Sequence, residues 1–333
     1  MHKIKYILIT IFLSIVIVSG LLAYSSRNLK KIELFKERRF DSLKLLSEIQ
    51  LNDKYSQIKI FNNTIYLVNS TDKEKNNIYK YISKDKSFKL EFNLDKNSIV
   101  GGYFINDSNK LFFKDNDSNK LKITTNNKTI YEKEFEIIAN RLLMINENSL
   151  IITTWNTDYK PLFYKYHIKS NLLEETKVNP VIYNKLKYPG LELDGKLIHN
   201  NKFIYLIPYG QNLVLVFDKE INFVKSFELN FKKIDFNIIK SSNQTLIDPN
   251  NIYPNFSAVA DDNYIYILTN KTGEIDDRKD YYIDLYNVKN DKYEKSFKLK
   301  NTESNPPKEI ALDKENIYIL NEKTITIYGK NKL

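Results

Sequence analysis

The feature that most constrains this chain is a strand unit that keeps returning. A turn rich in Asn or Asp leads into an alternating apolar strand, often built around Ile-Tyr-Ile or Ile-Tyr-Leu, at residues 64–68, 111–113, 150–152, 203–207, 264–268 and 317–320. A polar turn, a second alternating strand, another turn and a third strand carrying aromatic and charged residues follow. Alternation with a period of two puts one set of side chains on each face of a sheet. The equivalent positions Tyr66, Phe112, Ile152, Tyr205, Tyr266 and Tyr318 lie roughly 40 to 60 residues apart, the spacing of four-stranded propeller blades. The expectation is an all-β, six-bladed β-propeller.

Each unit needs an innermost strand ahead of those already named, and residues 98–104, 254–261 and 307–313 have the right pattern. The last unit lacks an outer strand, because only residues 329–333 follow Tyr328. Residues 43–51, reading LKLLSEIQL, have no other partner, so they are expected to pair with the final sheet and close the ring.

Ahead of the repeats, residues 6–24 form an uncharged run that begins at Tyr6 and ends at Tyr24. As a helix this run is long enough to cross a hydrocarbon core of about 30 Å. Lys3 and Lys5 precede it, and Ala23-Tyr24-Ser25 is a poor cleavage site, so it reads as an uncleaved anchor. Arg27, Lys30, Lys31, Lys36, Arg38 and Arg39 follow the run, and a strict positive-inside count would keep the large domain in the cytoplasm. Long domains cross largely regardless of such charge, so the expectation is an extracytoplasmic domain, periplasmic or on the cell surface. Leu29, Ile32, Phe35, Arg39 and Leu43 share one helical face, which suggests an amphipathic stalk. The expected organisation is 1–25 anchor or signal sequence, 26–42 stalk, and 43–333 propeller.

Composition agrees with strands: 24 Tyr and 19 Phe stand against 8 Gly and 8 Pro. The absence of cysteine excludes disulfides, thiolate nucleophiles and zinc-thiolate sites. The net charge of +10 is spread through turn-like pairs such as Asp85-Lys86 and Asp218-Lys219 rather than gathered into a run, so no nucleic-acid partner is expected.

Residues 307–313, 315–321 and 324–328 resemble a blade of the NHL-type and TolB-like six-bladed propellers, and 254–266 matches the same pattern more loosely. That resemblance implies the fold. Its members include protein-binding, sugar-binding, RNA-binding and hydrolytic proteins, so it selects no function.

Candidate chemistry is sparse. His167 ends an alternating strand and His199 precedes a polar turn, so both read as surface or edge residues. Some six-bladed hydrolases hold calcium in the central channel by oxygen ligands, and Asn255 with Asp261 would be the nearest match here. The competing reading makes Asp261-Asp262-Asn263 a hairpin turn. Loops offer better binding residues: Trp155, Asp158 and Tyr159 in one, Tyr253 and Asn255 at the end of the longest connection, and Asp276, Asp277 and Arg278 in a third. The sequence therefore predicts a monomeric, membrane-anchored, non-catalytic propeller with no metal or cofactor that binds a protein or glycan. The alternative is a calcium-dependent, lactonase-like hydrolase acting at the channel.

Overall fold

The computed structural model describes residues 37–69, 77–94, 100–106, 108–176, 183, 186–240, 245–270, 280–300 and 304–330. They form six antiparallel meanders, here numbered as blades in chain order. Blade 1 covers residues 57–93, blade 2 100–134, blade 3 141–176, blade 4 195–228, blade 5 255–298, and blade 6 307–329. The innermost strands are Gln57–Phe61, Val100–Ile105, Arg141–Asn146, Gly195–His199, Asn255–Ala260 and Pro307–Leu312.

The ring closes as the repeat requires. Lys44–Gln50 adds the missing outer strand to blade 6, antiparallel to Thr324–Gly329, with Lys44 opposite Gly329 and Ile49 opposite Ile325. Blade 1 meets blade 6 where the Ile58 amide donates to Glu309 Oε2 at 2.6 Å. On its other side, blade 1 meets blade 2 where Gln57 Nε2 donates to the Val100 carbonyl at 2.8 Å and the Tyr103 hydroxyl to the Tyr66 carbonyl at 3.0 Å.

The apolar core lies between blades rather than inside any one of them. Tyr66, Val68 and Ile78 of blade 1 pack on Tyr103, Ile105 and Phe113 of blade 2. Phe163 of blade 3 packs on Phe217 of blade 4, and Leu285 of blade 5 shares a cluster with Ile317 of blade 6. A sheet with two apolar faces has to bury both, and each buried Ile, Leu or Phe contributes about 1.5–3 kcal/mol. No blade can do this alone, so the repeat folds as a ring.

Turn chemistry explains the Asn-rich, Gly-poor composition. Asn62-Asn63 and Asn126-Asn127 form two-residue hairpin turns with φ between 47° and 57°, a left-handed conformation that Asn tolerates where Gly is scarce. The recurring Tyr also has a turn function. Asp261 accepts the Asn263 and Tyr264 amides and the Tyr266 hydroxyl, and Asp313 accepts the Glu315 and Asn316 amides and the Tyr318 hydroxyl. Asn200 gives a variant of it: its Oδ1 accepts the Lys202 and Phe203 amides, and its Nδ2 donates to the Tyr205 hydroxyl. The hairpin reading of Asp261-Asp262-Asn263 is thus what the structure contains.

One expectation changes at the N-terminal edge. The described part of the expected stalk is extended, not helical: Phe40–Asp41 runs parallel to Tyr293–Lys298, the outer strand of blade 5. Arg38 supplies the reason. Its guanidinium reaches Asp284 at 3.1 Å and Thr269 Oγ1 at 3.0 Å and lies over the Tyr282 ring, with side-chain exposures of 5% for Arg38 and 1% for Asp284. A helix through this segment would withdraw the cation from a buried carboxylate. The run at residues 6–24 lies outside the described residues, among which no helix is long and apolar enough to cross a membrane.

Candidate functional site: a basic central channel

All six innermost strands contribute to one cavity of about 420 Å³ along the ring axis. Strand alternation decides what faces it. In blade 1, Ile58 turns into the core while Lys59 is exposed to the channel. Arg141 of blade 3, Lys196 of blade 4, and Lys308 and Glu309 of blade 6 also line it. Gly195 brings two strands of blade 4 together, since a Cβ there would stand 2.1 Å from the Ile207 carbonyl oxygen.

Three of these cations have a carboxylate. Lys196 Nζ lies 2.6 Å from Glu309 Oε1, and Lys308 Nζ 2.6 Å from Glu322. Arg141 makes a two-pronged pair with Asp194, Nε to Oδ1 at 3.0 Å and one terminal nitrogen to Oδ2 at 2.7 Å, and its guanidinium lies over the Tyr209 ring. Lys59 pairs with Tyr66 through the strand ladder, and its ammonium makes no hydrogen bond or ion pair with any described residue.

Proton affinities follow these partners. Burial within the ring lowers the Lys59 pKa, and Lys196 lowers it further against a smaller opposing pull from Glu309. Burial also disfavours the Lys196 charge, but Glu309 outweighs it and the pKa rises. Arg141 behaves likewise: burial opposes its charge, and Tyr209 and Asp194 more than offset it.

His199, at the far end of the blade 4 inner strand, lines the channel instead of lying on the surface as its sequence position suggested. Desolvation first, then Lys219 and Lys59, push its pKa down to about 4, so it is neutral near pH 7. Its Nδ1 sits 3.2 Å from Lys219 Nζ and 3.3 Å from the Asn200 carbonyl oxygen. Among the described residues no serine or threonine is hydrogen-bonded to it. His167 is the exposed residue expected, 3.1 Å from Glu174.

The predicted site residues fall into three groups. Trp155 and Tyr159 stand at the channel end where the inner strands begin, and they hold down the connection between blades 3 and 4. The Gly190 amide donates to the Tyr159 carbonyl, and a Cβ at Gly190 would stand 2.7 Å from Trp155 Cβ. Asp158 is exposed in the same turn, its amide bonded to Asn156. Tyr253 packs near Gly210, and burial raises its pKa. Asn255 is buried, donating to the Pro208 carbonyl at 2.7 Å while its Oδ1 has no partner among the described residues. These residues adjoin the mouth through Asp194, Tyr209 and Arg141. Asp276, Asp277 and Arg278 lie outside the described residues.

The oxygen set of the calcium alternative does not assemble. Asn255 opens the inner strand of blade 5, while Asp261 follows its far end and is tied to Lys330 at 3.0 Å. Among the described residues no three His, Cys, Asp or Glu side chains group to hold a metal ion. Glu309, the one carboxylate among the described lining residues, is already neutralised.

No family model matches this chain. No curated protein matches it either. Solved structures do. A putative exported protein from Bacteroides fragilis NCTC 9343 superimposes with TM-score 0.56 at 14% identity, covering 89% of this chain and 97% of that one. A DUF4221 family member from Bacteroides vulgatus ATCC 8482 gives TM-score 0.55 at 12% identity over 86% and 97%. Virginiamycin B lyase from Staphylococcus aureus gives 0.51 at 12% over 85% and 98%. The chain is a six-bladed β-propeller. The likeness to NHL-type and TolB-like propellers holds at the level of the fold, and at such identities it carries no activity across.

Sequence reasoning missed Lys59, Arg141, Lys196, Lys308 and Glu309. Their signal was a charged residue in the innermost strands of blades 1, 3, 4 and 6, visible once those strands are laid over one another.

Proposed function

We propose that this protein is a non-catalytic binding propeller, tethered through residues 6–24 with its ring outside the cytoplasm, that receives its ligand at the channel mouth beside Arg141 and Tyr209. The observation that carries this reading is the cation-lined channel to which all six inner strands contribute. The described parts of two long connections meet where Gln211 Nε2 donates to Glu192 and to the Ile234 carbonyl, and the second of them includes an added pair of strands, Ile238–Lys240 and Thr245–Ile247. Loops on a rigid scaffold are where recognition residues concentrate.

The test couples a location with a capture. The full-length protein should remain in the membrane pellet after alkaline extraction, and protease added outside intact cells should cut it. A photocrosslinker at Tyr253 should capture one specific ligand or partner, whereas one at Ile130 on the rim should not. Equal capture at both positions, or release by alkaline extraction, would refute the corresponding half of the reading.

A further inference from the structure

We infer that the channel binds a singly charged anion, a carboxylate carried on a small, partly apolar molecule, with Lys59 as its counter-ion. The inference rests on the binding reading above and adds the ligand's chemical class.

Charge arithmetic within the ring carries it. Lys196, Arg141 and Lys308 are matched by Glu309, Asp194 and Glu322. Each pair is spent internally, and the Lys59 ammonium is left over among the described residues. Lys59 is exposed to the channel and stands beside Lys196, so it feels a repulsion that one bound negative charge would relieve. Two negative charges would leave one unmatched or would have to pull a lysine from its own carboxylate. The partners of Glu309 limit that exchange further, because its two oxygens hold Lys196 on one side and the Ile58 amide on the other.

Size and lining narrow the class. A space of about 420 Å³ exceeds an inorganic ion and falls in the range of small-molecule pockets. Besides the cations it is lined by Phe61, Phe104 and Phe256, apolar surface that a bare anion would not use. Neutral His199 contributes no second positive charge near pH 7.

Benzoate, benzamide and phenyl phosphate share an aromatic body and differ in charge, so together they form the probe. Saturation-transfer NMR against the full-length protein at constant ionic strength should give a clear signal for benzoate and little for benzamide. Lys59→Met should weaken benzoate binding at least tenfold, and Lys59→Arg should restore most of it. Thermal unfolding of Lys59→Met should be no lower than that of the parent protein, which separates lost binding from lost folding. Equal signals from benzamide and benzoate, stronger binding of phenyl phosphate, or indifference to Lys59→Met would overturn the inference. Silence from all three probes would also overturn it, yet specific capture at Tyr253 would still support a binding propeller with a different ligand.

Discussion

The wall of the channel and the rim of the ring invert the usual placement of side chains. On the wall, at the geometric centre, sit Lys59, Arg141, Lys196, Lys308 and Glu309. On the rim, facing water, the outer strands expose Leu90, Ile130, Leu172, Val224, Leu45 and Leu46, each about half accessible. The core of a propeller lies between blades, so the first strand of each sheet also turns some side chains to the channel and the last strand turns some to water. Blade 5 sharpens the contrast. The added strand Phe40–Asp41 covers its outer edge, where Ser296 and Phe297 are buried and the Asp284 carboxylate holds Arg38, Thr269 and Ser296. Charge is buried at the rim where a strap covers it, and at the centre where it serves the channel.

The contrast can be broken most forcefully at Glu309. Glu309→Ala strands Lys196 beside Lys59 and removes the acceptor of the Ile58 amide, so denaturant unfolding should report a loss of about 3–5 kcal/mol. His199 comes next, and the sign follows from its depressed pKa of about 4. A group that binds its proton more weakly in the folded state contributes stability that is full above its ordinary value of about 6.5 and is lost as pH falls toward about 4. The lost stability amounts to at most about 3 kcal/mol, and His199→Gln should flatten the stability profile between those pH values relative to the parent.

Arg38→Ala should cost about 2 kcal/mol, less than breaking an enclosed pair usually does, because the strap can peel from blade 5 and let water reach Asp284. Amide exchange should then rise at Ser296, whose N–H donates to the Arg39 carbonyl. The smallest effect belongs to the open rim: Ile130→Lys should change stability by no more than about 0.5 kcal/mol. A large loss there would mean that Ile130 is packed rather than open to water.

Fold and site were unequally legible in the sequence, for physical reasons. The ring could be read because alternation is local: each Ile-Tyr-Ile strand declares its own faces, and an orphan strand at residues 43–51 must pair with an orphan edge. Its register was found as that logic requires, with Ile49 opposite Ile325. The channel could not be read the same way. Lys59 and Lys308 are far apart along the chain, and each looks like the ordinary polar member of an alternating strand. Positive charge that is scattered in sequence becomes concentrated once six inner strands share an axis. Arg38 fell within a segment read as an amphipathic stalk, because spacing cannot reveal that Asp284 waits for it. Trp155 drew attention as an exposed anchor, and part of its surface is taken up against Gly190.

The most direct test of the channel account is anomalous diffraction from crystals of the full-length protein soaked in bromide. A bromide peak is expected on the ring axis beside Lys59 Nζ, and it should disappear in Lys59→Met crystals. Bromide bound at rim lysines with the axis empty, or Lys59 folded onto a carboxylate of its own, would contradict it.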